Sequence, residues 1–241
     1  MAPASTLRNA LATPDGKRSY VRRLFATIAD RYDLITVLLS YGQDRRWKRR
    51  LLNLSGVTAR TRVLDVACGT GDLAFAAARR GADVTGLDVT HRMVQLATAR
   101  RVQTGLDVRF VVGDMAALPF RDQEFDVVTT GYGIRNVPEI APAIREISRV
   151  LRPGGVLLSL DFNRPDNRLL RAVYLAYLTA VGSALGFVLH RDPDTYRYIP
   201  ESIRRYPGAR VVRELIEANG FAMTRHLPVL GGLMAIHTAR K

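Results

Sequence analysis

Three carboxylates and a pair of glycines stand at the ends of short apolar runs in the first half of the sequence. The stretch DVACGTGD places Asp65 shortly before Gly69 and Gly71, Asp88 closes the next apolar run, and Asp114 closes the one after it. Glycines with the G-x-G-x-x-[GA] spacing between a strand and a helix let a nucleotide approach the main chain, where a Cβ would intrude. The spacing therefore predicts a site for a nucleotide-like ligand.

The charges in this pattern indicate which ligand is bound. Asp88 is placed to accept both ribose hydroxyls of an adenosine, and Asp114 is placed to reach the edge of the adenine. Asp65 would repel a pyrophosphate but attract a cationic ligand. This difference favours S-adenosylmethionine, which carries a sulfonium and an ammonium group, over NAD. The predicted cofactor-binding residues are Asp65, Gly69, Thr70, Gly71, Asp88, Val89, Asp114, Met115 and Gly131.

Alternating strands and helices are expected to position these residues. Short runs rich in valine and leucine predict strands at 62–67, 82–88, 107–114, 125–131 and 154–161, and helical patterns lie between them. Such alternation predicts an α/β fold in which helices cover both faces of a parallel sheet. Two further strand patterns near the C-terminus bring the expected number of strands to seven.

The composition limits the classes of function. The chain has 36 basic and 22 acidic residues, a net charge of +14, which favours contact with phosphates on nucleic acids or lipids, although codon usage can produce the same excess. A single cysteine excludes an intramolecular disulfide and a cysteine-based zinc site, and no metal is expected. The N-terminus lacks the apolar stretch of a secretory signal, so a cytoplasmic protein is predicted.

An uncharged stretch from Ala172 to Leu189 just reaches the length of a membrane span. It contains Tyr174, Tyr177 and Ser183 and interrupts a continuing domain, which favours a buried or interfacial helix over a span. Together with the basic charge, it predicts peripheral contact with an anionic surface at the inner face of the cell membrane.

Longer motifs resemble known enzymes in their order and spacing. VLDVACGTGD, GLDVTHRM and RVLRPGGVLLSLDF resemble class I S-adenosylmethionine-dependent methyltransferases. YGIRNV, YIPESIRRYP and GGLMAIHTARK resemble the demethylmenaquinone and ubiquinone C-methyltransferase family, as does FATIADRYDLITVLLSYGQDRRWKR near the N-terminus. The resemblance implies a Rossmann-like fold with a helical N-terminal extension. Residues 1–19 would be a flexible tail and 20–241 one domain, with a helical prelude at 20–60 and a substrate cap at 165–208.

The same resemblance implies methyl transfer to a ring carbon of a prenylated quinol, most directly demethylmenaquinol. Arg135 would stabilise a phenolate or hold a water that moves the proton, and Asn136 would orient that water. The alternatives are an ion pair for Arg135 and a helix cap for Asn136. Predicted substrate contacts are Tyr132, Tyr196 and Tyr198.

Several other functions stay open. They are C-methylation of a ubiquinone-pathway benzoquinol, small-molecule O- or C-methylation, RNA methylation, nicotinamide-dependent oxidation, and a non-catalytic S-adenosylmethionine-binding subunit. The chain has GYGIRN where methyltransferases acting on base nitrogens have [DN]-P-P-[YF], so no nucleic-acid partner is expected. Gly131 stands where relatives often have serine, and Asp44 where some have histidine. A lipophilic quinol is the expected partner, and a homodimer is left open.

Overall fold

A computed structural model describes residue 7 and residues 9–40 and 42–241. Seven strands form one sheet in the order β3-β2-β1-β4-β5-β7-β6. The first five strands are mutually parallel, and β7 runs antiparallel to both β5 and β6. The predicted fold class is confirmed. The strands are β1 Arg62–Val66, β2 Asp83–Asp88, β3 Val108–Val112, β4 Phe125–Gly131, β5 Leu151–Phe162, β6 Ala222–Val229 and β7 Met234–Arg240.

The helices pack against both faces of the sheet. Val63 and Leu64 belong to different hydrophobic clusters, because successive side chains of a strand point to opposite faces. Each face therefore has its own core. The helices are α1 Pro14–Ile28, α2 Tyr32–Leu39, α3 Asp44–Leu54, α4 Asp72–Ala78, α5 His91–Thr104, α6 Ile140–Val150, α7 Arg168–His190, α8 Tyr198–Arg205 and α9 Ala209–Ala218.

Helix α1 begins inside the range that the sequence predicted to be a flexible tail. The hydroxyl of Thr13 caps its first turn, as expected of a helix N-terminus. The amine of Lys17 donates to the carbonyl of Arg135 at 3.0 Å, which attaches the helix to the domain. The structure thus differs from the prediction at residues 14–19. For residues 1–6 and 8 the prediction lies outside the described part of the chain.

Helix α7 coincides with the long uncharged stretch. Among the described helices it alone is long and apolar enough to cross a membrane by length and composition, with a mean hydropathy of 1.8 over its most apolar 18 residues. One side packs on the domain, where Leu175 and Leu178 belong to one hydrophobic cluster with Ile203. The opposite side is exposed and includes Val173 and Phe187. Helix α7 is therefore partly packed on the domain, and its contact with a membrane stays a prediction.

Candidate functional site

Two neighbouring cavities open at the carboxyl ends of the parallel strands. The first, of about 690 Å³, is lined by the glycine loop and by the ends of β2, β3 and β4. The second, of about 600 Å³, is lined mainly by apolar and aromatic side chains of α1, α2 and α8. The cavities share a wall, because four residues line both of them: Phe25, Tyr32, Tyr132 and Asn136.

Asp88 lies in the first cavity at the end of β2. One carboxylate oxygen accepts a hydrogen bond from the N–H of Gly69 at 2.9 Å, and the other accepts from the N–H of Thr90 at 2.8 Å. Burial raises the pKa of Asp88, and the two N–H donors act against that rise. Each carboxylate oxygen retains a further acceptor site, so the fixed group can still accept two hydroxyls.

The two glycines of the loop serve different purposes. Gly71 has φ +89°, and a Cβ at this position would lie 2.9 Å from ring atoms of Phe75 and Phe110. Gly69 has φ +54° and lines the first cavity, where its Cβ would be 3.5 Å from the ring of Tyr32. Gly71 is therefore required for the turn and the packing beneath it, whereas Gly69 presents bare backbone to the cavity.

Asp65 and Thr70 line neither of the two cavities. Asp65 accepts from the N–H of Ala74 at 3.1 Å and from the hydroxyl of Thr129 at 2.8 Å, so it supports the first turn of α4. Burial raises its pKa to about 7. The hydroxyl of Thr70 donates to Asp33 of α2 at 2.5 Å. Both side chains therefore support the loop instead of facing the cavity.

The acid after β3 is contacted by the N-terminal extension. One carboxylate oxygen of Asp114 accepts from the N–H of Ala116 at 2.9 Å, and the other accepts from Nε of Arg18 at 3.2 Å. Helix α1 thus closes this edge of the first cavity. The other predicted cofactor residues that line the first cavity are Val89, Met115 and Gly131.

Arg135 is 5% exposed and lines the second cavity. Its Nε donates to one carboxylate oxygen of Asp161 at 3.3 Å, and its backbone N–H donates to the other at 2.9 Å. The guanidinium also donates to the hydroxyl of Ser202 and lies 5.2 Å from the centre of the Phe162 ring. Burial raises the pKa of Asp161, while the guanidinium acts against that rise. The ion pair considered as an alternative is present, at a position that also faces the cavity.

The remaining predicted residues come together around the same cavity. The hydroxyl of Tyr198 donates to Oδ1 of Asn136 at 2.9 Å, and Nδ2 of Asn136 donates to the carbonyl of Tyr132 at 2.7 Å. The hydroxyl of Tyr196 lies 2.8 Å from Nε2 of His190. All three predicted substrate tyrosines line the second cavity. Asn136 is held in the shared wall instead of capping a helix.

Sequence reasoning missed the part that the N-terminal helices play in both cavities. Phe25 and Tyr32 line both, while Arg18 and Val21 line the first. Burial raises the pKa of Tyr32 to about 12. The only signal in the sequence is an aromatic residue within an apolar helical pattern, and a core position gives the same signal.

Comparison with known proteins identifies the family. Residues 13–241 match the ubiE/COQ5 methyltransferase family. The chain belongs to this family. The demethylmenaquinone methyltransferase of Thermus thermophilus is 40% identical over 216 residues, which cover 89% of this chain and 98% of the relative. The ubiquinone/menaquinone biosynthesis C-methyltransferase UbiE of Azotobacter vinelandii is 39% identical over 230 residues, covering 93% and 91%. The predicted family and the predicted cofactor, S-adenosylmethionine, are confirmed.

Solved structures resemble this methyltransferase in fold. An S-adenosylmethionine-dependent methyltransferase from Aquifex aeolicus has a TM-score of 0.59 at 18% identity, covering 80% of this chain and 88% of its own. The [4+2]-cyclase SpnF has a TM-score of 0.58 at 21% identity, covering 82% and 80%. A cyclase shares the architecture, so the fold alone does not decide the reaction.

Proposed function

We propose that this methyltransferase transfers the methyl group of S-adenosylmethionine to a ring carbon of a prenylated quinol, most directly demethylmenaquinol. The observation that carries the proposal is the pair of cavities with a common wall. The first offers a fixed carboxylate and bare backbone, and the second offers an apolar, aromatic lining. The names of the relatives from Thermus thermophilus and Azotobacter vinelandii support a quinone-pathway substrate.

The residues of the first cavity fit the cofactor. Asp88 would accept the ribose hydroxyls, and Asp114 would meet the adenine edge while α1 closes over it. Val89, Met115 and Gly131 would complete the contacts. When bound, S-adenosylmethionine supplies an electrophilic methyl group on a cationic sulfur.

The second cavity would hold the quinol ring against Tyr132, Tyr196 and Tyr198. A guanidinium has five N–H donors, and the contacts to Asp161 and Ser202 leave some of them available to a phenolate or to a water. Asn136 would orient that water from the shared wall. The prelude helices and the segment 165–208 would cap the ring and exclude solvent, which strengthens the attraction between the phenolate and the guanidinium.

A methyl-transfer assay tests the proposed reaction. The chain is incubated with labelled S-adenosylmethionine and reduced demethylmenaquinone in detergent, and label is expected in a ring carbon of menaquinone. A parallel reaction with the reduced methoxybenzoquinone of the ubiquinone pathway tests the second candidate, because the name of the Azotobacter vinelandii relative includes both pathways. Label on oxygen, or no labelled quinone in either reaction, would contradict the proposal.

We also propose peripheral contact with an anionic membrane, because the substrate is lipophilic. The exposed side of α7 carries Leu169, Val173, Phe187 and Val188. Helix α3 exposes arginines without ion pairs in the described part of the chain, and each arginine near an anionic surface contributes about 1 kcal/mol to binding. These are Arg45, Arg46, Arg49 and Arg50. The proposed location is the cytoplasmic side of the membrane. No nucleic-acid partner is proposed, and a homodimer stays a prediction.

Sedimentation with phosphatidylglycerol vesicles checks this contact. Phe187→Glu is expected to weaken vesicle binding about tenfold or more, because an apolar side chain that enters the interface is replaced by a charge. The matched control is Val102→Glu on α5, where the valine is 77% exposed against 64% for Phe187 but lies outside the proposed surface. Equal binding of the two variants, or equal binding to phosphatidylcholine vesicles, would contradict the membrane proposal.

A further inference from the structure

We propose that Asp44 is a positioning residue for methyl transfer, which acts by holding the ring of Tyr132 between the two cavities. The inference rests on the proposed function and deepens it, because it concerns the wall that separates the methyl donor from the acceptor. Asp44 begins α3, and Tyr132 follows β4 directly. The two residues are 88 positions apart in the sequence.

Tyr132 occupies an unusual position in that wall. Its φ is +63°, a conformation that residues other than glycine seldom adopt, and which persists only where the surroundings hold it. Its N–H donates to the carbonyl of Leu160 at 2.6 Å, and its ring lies 5.5 Å from that of Phe162. The side chain is 7% exposed and lines both cavities. A small rotation of this ring would therefore change both cavities at once.

Asp44 fixes the outer end of the ring. The hydroxyl of Tyr132 donates to Oδ1 of Asp44 at 2.7 Å, and Oδ2 of Asp44 lies 2.7 Å from Nζ of Lys48. Hydrogen bonds to an ionised acceptor are roughly twice as strong as those between neutral groups. Burial, followed by the charge of Asp44, raises the pKa of Tyr132, so its hydroxyl remains a neutral donor. Asp44 itself is only 2% exposed.

Lys48 connects this contact to the cofactor loop. Its amine lies 3.0 Å from a carboxylate oxygen of Asp72, the first residue of α4 after the glycines. The amine also lies 5.8 Å from the centre of the Tyr132 ring. Burial lowers the pKa of Lys48, but Asp72 and Asp44 outweigh it and leave the pKa raised, so the amine stays charged. The ring is thus held relative to the loop that would hold the methyl donor.

This arrangement matters because transfer requires the sulfur, the methyl group and the ring carbon to be aligned at near-contact distance. Loss of the hydroxyl contact would leave the ring packed but no longer fixed. Turnover would fall while both ligands still bind. If Asp44 instead only anchors α3 through Lys48, removal of the tyrosine hydroxyl would leave turnover unchanged.

The test measures kcat and KM for the full chain and its Tyr132→Phe, Asp44→Ala and double variants. Each single change is expected to lower kcat about tenfold, with KM for S-adenosylmethionine within about twofold of wild type. The double variant should resemble the singles, because both changes remove one interaction. Asp44→Asn keeps an acceptor oxygen and is expected to restore kcat to within about threefold of wild type.

Tyr206→Phe is the matched control, since Tyr206 is a buried tyrosine that lines neither cavity. An active wild-type enzyme whose Tyr132→Phe variant is equally active would overturn this inference alone. A double variant whose loss of kcat equals the product of the two single losses would overturn it too. If Asp44→Ala fails to fold, Tyr132→Phe still decides, because it leaves the ion pair with Lys48 in place. A wild-type chain inactive on every quinol would overturn the proposed function and this inference with it.

Discussion

Replacement of Arg135 by alanine is expected to lower the free energy of unfolding by about 3–5 kcal/mol. The carboxylate of Asp161 is 1% exposed, and the substitution removes the guanidinium that pairs with it. A buried charge without a partner is strongly unfavourable. Chemical denaturation at neutral pH measures the loss. Because Arg135 lines the second cavity and not the first, the folded fraction should bind S-adenosylmethionine nearly normally while its turnover falls.

Two further variants separate the buried charge from a general effect of shortening an arginine. Arg135→Met with Asp161→Leu removes both charges and is expected to be more stable than Arg135→Ala. Arg152→Ala breaks an ion pair with Asp126 in which the arginine side chain is 55% exposed, and should cost less than about 1 kcal/mol. Equal losses for Arg135→Ala and Arg152→Ala would contradict this account of the buried pair.

Asp88→Ala is expected to weaken the binding of S-adenosylmethionine by at least about 100-fold. Two hydrogen bonds from ribose hydroxyls to a charged acceptor are lost, each contributing about 1.5–3 kcal/mol, and 1.4 kcal/mol corresponds to a tenfold change. The N–H groups of Gly69 and Thr90 lose their acceptor at the same time, which loosens the glycine loop. Isothermal titration calorimetry measures the affinity, and circular dichroism checks that the variant is folded.

Asp107→Ala provides the control, because Asp107 is an exposed acid just before β3, outside both cavities. The affinity of the Asp107→Ala variant for S-adenosylmethionine should equal that of wild type. Asp88→Asn keeps one acceptor oxygen without the charge and is expected to fall between wild type and Asp88→Ala. An Asp88→Ala variant that binds within about threefold of wild type would show that this carboxylate does not hold the ribose.

Local patterns predicted the sheet well. The strand Phe125–Gly131 has the predicted bounds, because an apolar run between breaking residues is a local property. Helix α5 occupies one of the predicted helical patterns between strands and ends at Thr104, where Gly105 adopts φ +65°. The short helix α8 was not predicted, since its sequence contains Pro200 and reads equally well as a loop.

The direction of a side chain was less predictable than its place in the chain. Asp65 comes at the expected point before the glycines, but its carboxylate turns towards the N–H of Ala74 and away from the cavity. The backbone N–H groups at the start of a helix lack partners within the helix and therefore attract a nearby carboxylate. No local pattern in the sequence shows whether Asp65 will bind these N–H groups or a ligand in the cavity. Arg135 likewise lines the second cavity, but the sequence did not show that Asp161 would be the acid in its ion pair.

By itself the sequence determined the α/β architecture, the glycine turn and the order of the acids along the sheet edge. The spacing of apolar residues and the conformational freedom of glycine are properties of a few neighbouring residues, so they can be read locally. Only the tertiary structure decided that the N-terminal helices complete both cavities and that Asp44 meets Tyr132. Such contacts join segments far apart in the chain. They depend on how whole helices pack over the sheet, and the local preferences of the sequence do not determine that packing.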